Sequence, residues 1–282
     1  MNELDRLNLA IDKIDKIDNS TWQNILTDRK KKELEFHDKD RDCNVVQETL
    51  ASDTYEKFYG NKKFYKITNR SQSYVQSWIR LESKNKIFLD YACGNGENAT
   101  SAAKYGALLS LGFDISGVSV KNATKLANEK KINNVRFFQA DAENTKLPDD
   151  SIDVIICSGM LHHLDLSYAF PELRRILKPG GKILAIEALD YNPAIKLYRT
   201  LTPAMRTDWE KAHILSLNDI KFAKRFFDIG VIRHWHVLGY VGGKIPFLMY
   251  PMDLIDRVLE KIPLIKLLSW MFTFELIKRV EK

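Results

Sequence analysis

The spacing of hydrophobic residues changes along the chain. Between residues 1 and 36, Leu4, Leu7, Ile11 and Ile14 recur every three or four positions, which predicts amphipathic helices. From Ile87 onward, short apolar runs of strand length alternate with helical stretches. Such an alternation predicts an α/β fold in which helices cover a parallel sheet.

Seven apolar runs are interpreted as strands. They lie at residues 87–89, 107–114, 135–140, 154–157, 182–188, 231–238 and 272–280. We therefore expect a Rossmann-like, doubly wound, mostly parallel seven-stranded sheet with an antiparallel last strand. A helix is predicted from Pro171 to Lys178, and the motif Pro179-Gly-Gly181 should end it.

The same pattern divides the chain into two regions. Residues 1–80 are predicted to form a helical N-terminal extension that caps the cofactor and substrate, and residues 81–282 the sheet domain. Two insertions are expected in the sheet domain. One at 190–230 should bind substrate, and one at 245–271 is amphipathic and apolar.

A glycine loop follows the first predicted strand. Gly94 and Gly96 come after Asp90 and precede a helix, so backbone amides and the positive helix end face a ligand. Gly94, Gly96 and Ala99 also fit the looser dinucleotide fingerprint, which keeps an NAD enzyme among the alternatives. The charge of Asp90 would repel a pyrophosphate and attract a sulfonium or ammonium group, which favours a different cofactor.

Further polar residues follow the later strands. Asp114, Asp141, Ser158, His162 and Glu187 each come at or just after a predicted carboxyl end. Because parallel strands end at one edge of a sheet, we expect these side chains to share a ligand site. Asp114 lies 24 residues after Asp90, near the spacing at which an acid reaches ribose hydroxyls.

The chain between Lys86 and Leu189 resembles the class I S-adenosylmethionine-dependent methyltransferases, especially the type 11 branch that methylates quinones, sterols and sugars. The motifs are Leu89-Asp-Tyr-Ala-Cys-Gly-Asn-Gly96, Gly112-Phe-Asp-Ile-Ser116, Ala140-Asp-Ala142, Leu147-Pro-Asp-Asp-Ser-Ile-Asp153, Leu161-His-His-Leu164 and Leu177-Lys-Pro-Gly-Gly181. The chain departs from the family at Tyr91-Ala92, where a small residue and glycine are more common.

The resemblance implies that S-adenosyl-L-methionine binds at this edge and leaves as S-adenosyl-L-homocysteine. Gly94 and Gly96 would meet the methionine part, Asp114 the ribose, and Asp141 with Ala142 the adenine. Asp90, Ala92, Ile115 and Ser158 complete the expected cofactor-binding set.

Relatives that methylate sugar hydroxyls carry a histidine at the position of His162 and an acid at that of Glu187. Transfer to a hydroxyl requires removal of its proton, and a neutral imidazole suits that task. We expect His162 to be the general base, Glu187 to orient it, and the acceptor to be a small molecule, sugar or lipid-linked hydroxyl. Candidates for acceptor binding are His163, Arg199, Arg206 and His213.

Charge and cysteine content narrow the alternatives. The net charge of +6 comes from 43 basic and 37 acidic residues that are scattered, so nucleic acid is an unlikely partner. An RNA methyltransferase and a catalytically silent cofactor-binding scaffold stay as alternative functions. The three cysteines show no metal-ligand spacing, so we expect no metal and a reducing, cytoplasmic location.

The insertion at 245–271 has a helical stripe of Met252, Ile255, Val258, Leu259 and Ile262. Core packing or a homodimer contact is the main expectation. A peripheral contact with the inner face of a membrane is the alternative, because apolar residues flank a basic edge.

Overall fold

A computed structural model of the chain describes residues 2–41, 68–202, 206–239 and 245–280. Its centre is one seven-stranded sheet in the order β3-β2-β1-β4-β5-β7-β6. The strands are β1 Ile87–Tyr91, β2 Leu109–Asp114, β3 Val135–Gln139, β4 Ile152–Ser158, β5 Leu177–Ala188, β6 Asp228–Trp235 and β7 Met271–Ile277.

The strand directions confirm the predicted fold class. Strands β1 to β5 pair in parallel, and β7 pairs antiparallel with both β5 and β6. Every residue of β1 is buried, as expected for a central strand covered on both faces. The strand order reverses beside β1, where β2 and β4 flank it, so a crevice for a ligand opens at their carboxyl ends.

Helices cover both faces of the sheet. Those described are α1 Glu3–Ile14, α2 Asn19–Ile25, α3 Asp28–Arg41, α4 Asn69–Glu82, α5 Glu97–Lys104, α6 Gly117–Glu129, α7 Leu166–Ile176, α8 Pro193–Leu201, α9 Asp208–Ala212, α10 Leu217–Ala223 and α11 Met249–Leu259. Among these described helices, none combines the length and the apolar character needed to cross a bilayer.

Two predicted boundaries were wrong. Helix α7 begins at Leu166 instead of Pro171, because Asp165 caps it by accepting a hydrogen bond from Ser167 N at 2.9 Å. Strand β5 begins at Leu177, so the Pro179-Gly-Gly181 motif lies within the strand and not before it. Helix α2 is capped by Asp18, whose side chain accepts hydrogen bonds from Ser20 N and Thr21 N.

The predicted N-terminal region is helical where it is described. Leu7, Ile11 and Ile14 of α1 are buried in the same core as β1 and β2, and Arg136 of β3 binds Asp12 of α1 at 2.7 Å. Helix α1 therefore packs on the sheet domain. Residues 42–67 of the predicted cap lie outside the described residues.

The glycine at the start of α5 provides a test of the fold. Gly96 has φ +75°, and a Cβ there would lie 2.5 Å from the Phe137 ring. Gly96→Ala should lower the free energy of unfolding by about 2–4 kcal/mol, from the left-handed backbone together with overpacking. Denaturant unfolding measures this change.

Gly159→Ala is the matched control. Gly159 has φ +64°, but a Cβ there would meet nothing within 4 Å. Its cost should be the backbone term alone, about 1–2 kcal/mol. Equal costs at the two positions would show that the Phe137 contact does not matter.

Candidate functional site

The loop after β1 has an unusual backbone. Ala92, Gly94 and Gly96 all have positive φ, of 56°, 52° and 75°. A left-handed conformation costs a non-glycine residue about 1–2 kcal/mol. Ala92 stands where the methyltransferases that this chain resembles more often have glycine, and it is accommodated there with backbone strain.

Asp90 lies beneath this loop. Its carboxylate is 2% exposed and accepts a hydrogen bond from Ala99 N at 3.1 Å. Burial raises the pKa of Asp90 to about 7, against the effect of hydrogen bonds from Ala99 and the Asn98 side chain. Asp90 therefore joins the end of β1 to the first turn of α5. The sequence predicted that Asp90 would bind the cofactor, but Asp90 does not line the cavity.

A cavity opens above the loop at the carboxyl ends of β1 to β4. Helix α3 forms its other wall. The lining residues are Arg29, Lys30, Glu33, His37, Ala92, Phe113, Asp114, Ile115, Ser119, Asp141, Ala142, Ser158, Gly159, Met160, His163 and Leu164. The structure thus brings together six residues for which cofactor binding is predicted: Ala92, Asp114, Ile115, Asp141, Ala142 and Ser158.

Asp114 connects the second strand to the loop. Its two carboxylate oxygens accept hydrogen bonds from Gly94 N and Ser116 N, each at 2.9 Å. Each oxygen keeps a second lone pair, so the carboxylate can still accept hydrogen bonds from a diol. Gly94 and Gly96 do not line the cavity; the first bonds to Asp114 and the second packs on Phe137.

Helix α3 binds the rim of the cavity through charged side chains. Lys30 Nζ lies 2.6 Å from Asp141 and 2.9 Å from Glu143, and Arg29 also pairs with Glu143. Arg29 donates a second hydrogen bond to His163 O at 2.9 Å. Helix α3 thus neutralises the acid that the resemblance assigns to adenine.

The same helix reaches the segment after β5. Glu33, which is 5% exposed, bonds to His163 Nδ1 at 3.0 Å and accepts a hydrogen bond from Thr207 Oγ1. Ligand atoms of Glu33, His37 and His163 lie close enough together to hold a metal ion. His163 therefore faces the cavity and α3. The sequence had instead suggested that His163 would contact the acceptor.

His162 and Glu187 form a hydrogen-bonded pair. Glu187 is fully buried and accepts hydrogen bonds from Met160 N at 2.9 Å and Leu161 N at 2.8 Å. Its other oxygen lies 2.7 Å from His162 Nδ1. Nδ1 therefore carries the proton in the neutral ring, and Nε2 is the acceptor nitrogen.

The charge around His162 raises its pKa above the ordinary value. Burial alone would lower the pKa, but the Glu187 carboxylate, its hydrogen bond and the more distant Glu210 outweigh that effect. Glu210 Oε1 lies 3.9 Å from Nε2.

Glu210 also brings Arg199 and Arg206 to the site. Arg199 donates to the Glu210 backbone oxygen at 2.9 Å, and Arg206 Nε lies 3.4 Å from Glu210 Oε1. Arg206 additionally donates to Thr202 O at 2.8 Å. His213 is not part of this group; it is exposed and stacks on Trp209, with 3.8 Å between ring centroids.

Sequence reasoning missed the residues of α3 and Glu210. Arg29, Lys30 and Glu33 sit in a strongly charged helix without an apolar stripe, which is typical of a solvated surface. For Glu210 one signal existed, since it follows Arg206 by four residues, a spacing at which charges pair on a helix. In the insertion at 190–230, residues from Leu215 onward pack largely into the core.

Comparison with known proteins gives a consistent result. Residues 89–185 match the model of a methyltransferase domain. The uncharacterized methyltransferase YcgJ of Bacillus subtilis is 37% identical over 144 residues, which are 51% of this chain and 55% of that protein. Its crystal structure superposes with a TM-score of 0.52 at 20% identity, over 74% of this chain and all of that one.

Two further relatives differ in the atom that is methylated. The ubiquinone/menaquinone biosynthesis C-methyltransferase UbiE of Marinomonas is 45% identical over 64 residues, 22% of this chain and 26% of that protein. The 27-O-demethylrifamycin SV methyltransferase of Amycolatopsis mediterranei is 35% identical over 118 residues, 41% and 43% of the two chains. The matches thus span about half or less of each relative's length.

The cover formed by α3 generates a prediction. Lys30→Met removes the cation that lies between Asp141 and Glu143, two carboxylates with 14% and 5% of their side chains exposed. Losing charge-assisted hydrogen bonds should weaken the docking of α3 by about 1.5–3 kcal/mol. Amide hydrogen exchange across residues 28–41 should accelerate by roughly tenfold or more. Lys31→Met is the control, and equal acceleration in both variants would contradict the assigned role of Lys30.

Proposed function

The chain carries a class I S-adenosylmethionine-dependent methyltransferase domain, and we propose that the protein transfers the methyl group to a hydroxyl oxygen of an acceptor, with His162 as general base. The observation that carries the choice of base is the His162–Glu187 pair, whose distance of 2.7 Å fixes the ring tautomer. The acceptor is a small molecule, a sugar or a lipid-linked hydroxyl.

The residues at the cavity fit the methyl donor. Asp114 offers the lone pairs that a ribose diol needs, and the backbone of Ala92 borders the space where the methionine part would lie. Asp141 and Ala142 line the place for the adenine, with Lys30 beside them. When bound, S-adenosylmethionine supplies an electrophilic methyl group on a positively charged sulfur.

His162 supports the reaction by removing a proton. A hydroxyl next to Nε2 would transfer its proton to that nitrogen as its oxygen bonds to the methyl carbon. Glu187 then stabilises the imidazolium through its hydrogen bond to Nδ1 and its negative charge. Because Glu187 is also bound by two backbone amides, neither its position nor that of the ring needs to change during the step.

Two arginines lie on the side of the site where the acceptor would bind. Arg199 and Arg206 have 13% and 7% of their side chains exposed, and both lie against the single carboxylate of Glu210. Burial and the neighbouring Arg206 lower the pKa of Arg199. Two buried guanidinium groups with one shared carboxylate favour an acceptor that carries an anionic group near the hydroxyl.

A carbon acceptor is the second candidate. UbiE, which is 45% identical to this chain over 64 residues, is a C-methyltransferase. The His162 base would suit an acidic carbon or a phenol that directs methylation to carbon equally well. Mass spectrometry of the methylated product, after cleavage of methyl ethers, distinguishes the two outcomes.

Removing the base tests the proposal. His162→Ala should lower kcat by about 10²–10⁴, the usual contribution of general base catalysis. Donor binding should stay within about threefold, since His162 does not line the donor cavity. Calorimetry with S-adenosylhomocysteine measures binding, and product formation from extract acceptors measures turnover. Unchanged turnover would exclude His162 as the base.

The pH dependence of the reaction should report the His162–Glu187 pair. A base must be neutral, and the raised pKa of His162 means that kcat increases with pH through a midpoint above 6.5, its ordinary value. Glu187→Gln removes the charge that raises this pKa, so the midpoint should move to lower pH. The amide group introduced by this substitution would donate a hydrogen bond to Nδ1. The ring proton would then be on Nε2, which could no longer accept a proton, so the plateau of kcat should be lower. An identical profile in both proteins would contradict the assignment.

A further inference from the structure

Helix α11 presents its apolar side to solvent. Tyr250, Leu254 and Val258 follow one another at intervals of four residues and are 73%, 46% and 61% exposed. Asp256, on the opposite side, is fully buried. A surface helix of a globular protein normally has the reverse arrangement. Three residues of the predicted stripe, Ile255, Val258 and Ile262, are 42%, 61% and 37% exposed and do not pack in the core of this chain, whereas the expected homodimer contact stays a prediction.

Polar contacts fix this orientation. Asp256 accepts a hydrogen bond from Leu238 N at 2.8 Å, and Glu260 accepts one from His236 N at 2.7 Å. Arg70 of α4 pairs with Glu260 and, at 2.8 Å, with Asp253. Turning the apolar side inward would break these contacts, so the exposure is built into the fold.

The exposed stripe continues beyond the helix. Within the described residues, twenty large apolar side chains are markedly exposed, and nine of them lie between residues 245 and 268. We call these nine residues the apolar face: Ile245, Phe247, Tyr250, Leu254, Ile255, Val258, Ile262, Leu264 and Leu268. Phe247 and Leu264 are the most exposed, at 80% and 78%. Such a concentration marks an interaction surface.

The charges beside the apolar face are basic. Lys261 is exposed and Lys266 half-buried, and within the described part of the chain neither forms an ion pair. The acids of this segment, in contrast, point into the protein or pair with arginines. An anionic surface would complement the two lysines, whereas a second copy of the same face would bring like charges together.

The apolar face belongs to the edge of the sheet that carries the donor cavity. It lies in the connection from β6 to β7, which leaves the same edge as the connection from β5 to α8. The side chain of Asn192, which caps α8, donates to Leu268 O. Helix α8 carries Arg199 and also exposes Leu197 and Leu201, which are 60% and 70% accessible and one turn apart.

We propose that the apolar face and α8 seat the protein on a lipid bilayer with anionic headgroups. Phe247, Tyr250, Val258 and Leu264 would enter the boundary between headgroups and acyl chains, and Lys261 and Lys266 would meet the lipid phosphates. Combined with the proposed function, this contact places an acceptor embedded in the bilayer beside Arg199 and His162.

Vesicle binding by the full chain tests the contact. The protein should co-sediment with vesicles of phosphatidylcholine and phosphatidylglycerol, bind less to phosphatidylcholine alone, and bind less at high salt. Leu264→Ser should weaken binding by about tenfold, since it removes one large apolar side chain from the interface. Leu81→Ser is the matched control, because Leu81 on α4 is also 78% exposed.

Three outcomes would overturn the proposal of a lipid contact. Absence of binding to both kinds of vesicle, or equal loss in the Leu264 and Leu81 variants, would show that this face is not a lipid contact. A dimer that dissociates on Leu264→Ser, seen by light scattering, would assign the face to a second copy of the chain. Binding of S-adenosylhomocysteine by the Leu264 variant is measured in parallel, so that a failure of the lipid contact is distinguished from failure of the proposed methyl transfer.

Discussion

The buried carboxylate of Glu187 determines how the site is arranged. A fully buried charge is stable only when hydrogen bonds replace its hydration, and Glu187 has two backbone amides and one imidazole nitrogen for this purpose. The amides belong to Met160 and Leu161, so the turn after β4 is folded around the end of β5. The imidazole of His162 is placed by the same contacts, with Nδ1 toward Glu187 and Nε2 toward Glu210.

Much of the fold was predictable from the sequence, because buried parallel strands are apolar runs that end at polar loops. The positions of the seven strands followed from that pattern, and the antiparallel direction of β7 agrees with the expected fold class. Helix starts were less predictable. Proline is common at the first position of a helix, so Pro171 predicted the start of α7, but it lies inside that helix. Which side of α11 is buried could not be predicted. Periodicity shows only that the helix has an apolar and a polar side, and the tertiary contacts of Asp256 and Glu260 determine that the polar side faces the protein.

The candidate site shows the same division. Residues at the carboxyl ends of strands were found, because topology alone brings Asp114, Asp141 and Ser158 to one edge. Their individual contacts were not, since an acid at a strand end either faces a ligand or caps a helix, and Asp90 does the second. Lys30 reaches Asp141 from a segment distant in sequence, and no local pattern reports that pairing. For Glu210 the local spacing indicates only its pairing with Arg206 and not its place beside His162.

Helix α3 joins two sides of the site that the sheet topology keeps apart. Glu33 contacts both His163 at the cavity and Thr207 in the segment after β5, and the Arg29 guanidinium lies 4.6 Å from the centre of the Trp209 ring. Loss of the Glu33 carboxylate would therefore remove a contact at the cavity and a contact in the segment after β5 together. The cavity wall and the segment after β5 thus share one helix as their support, although they are formed by different parts of the chain.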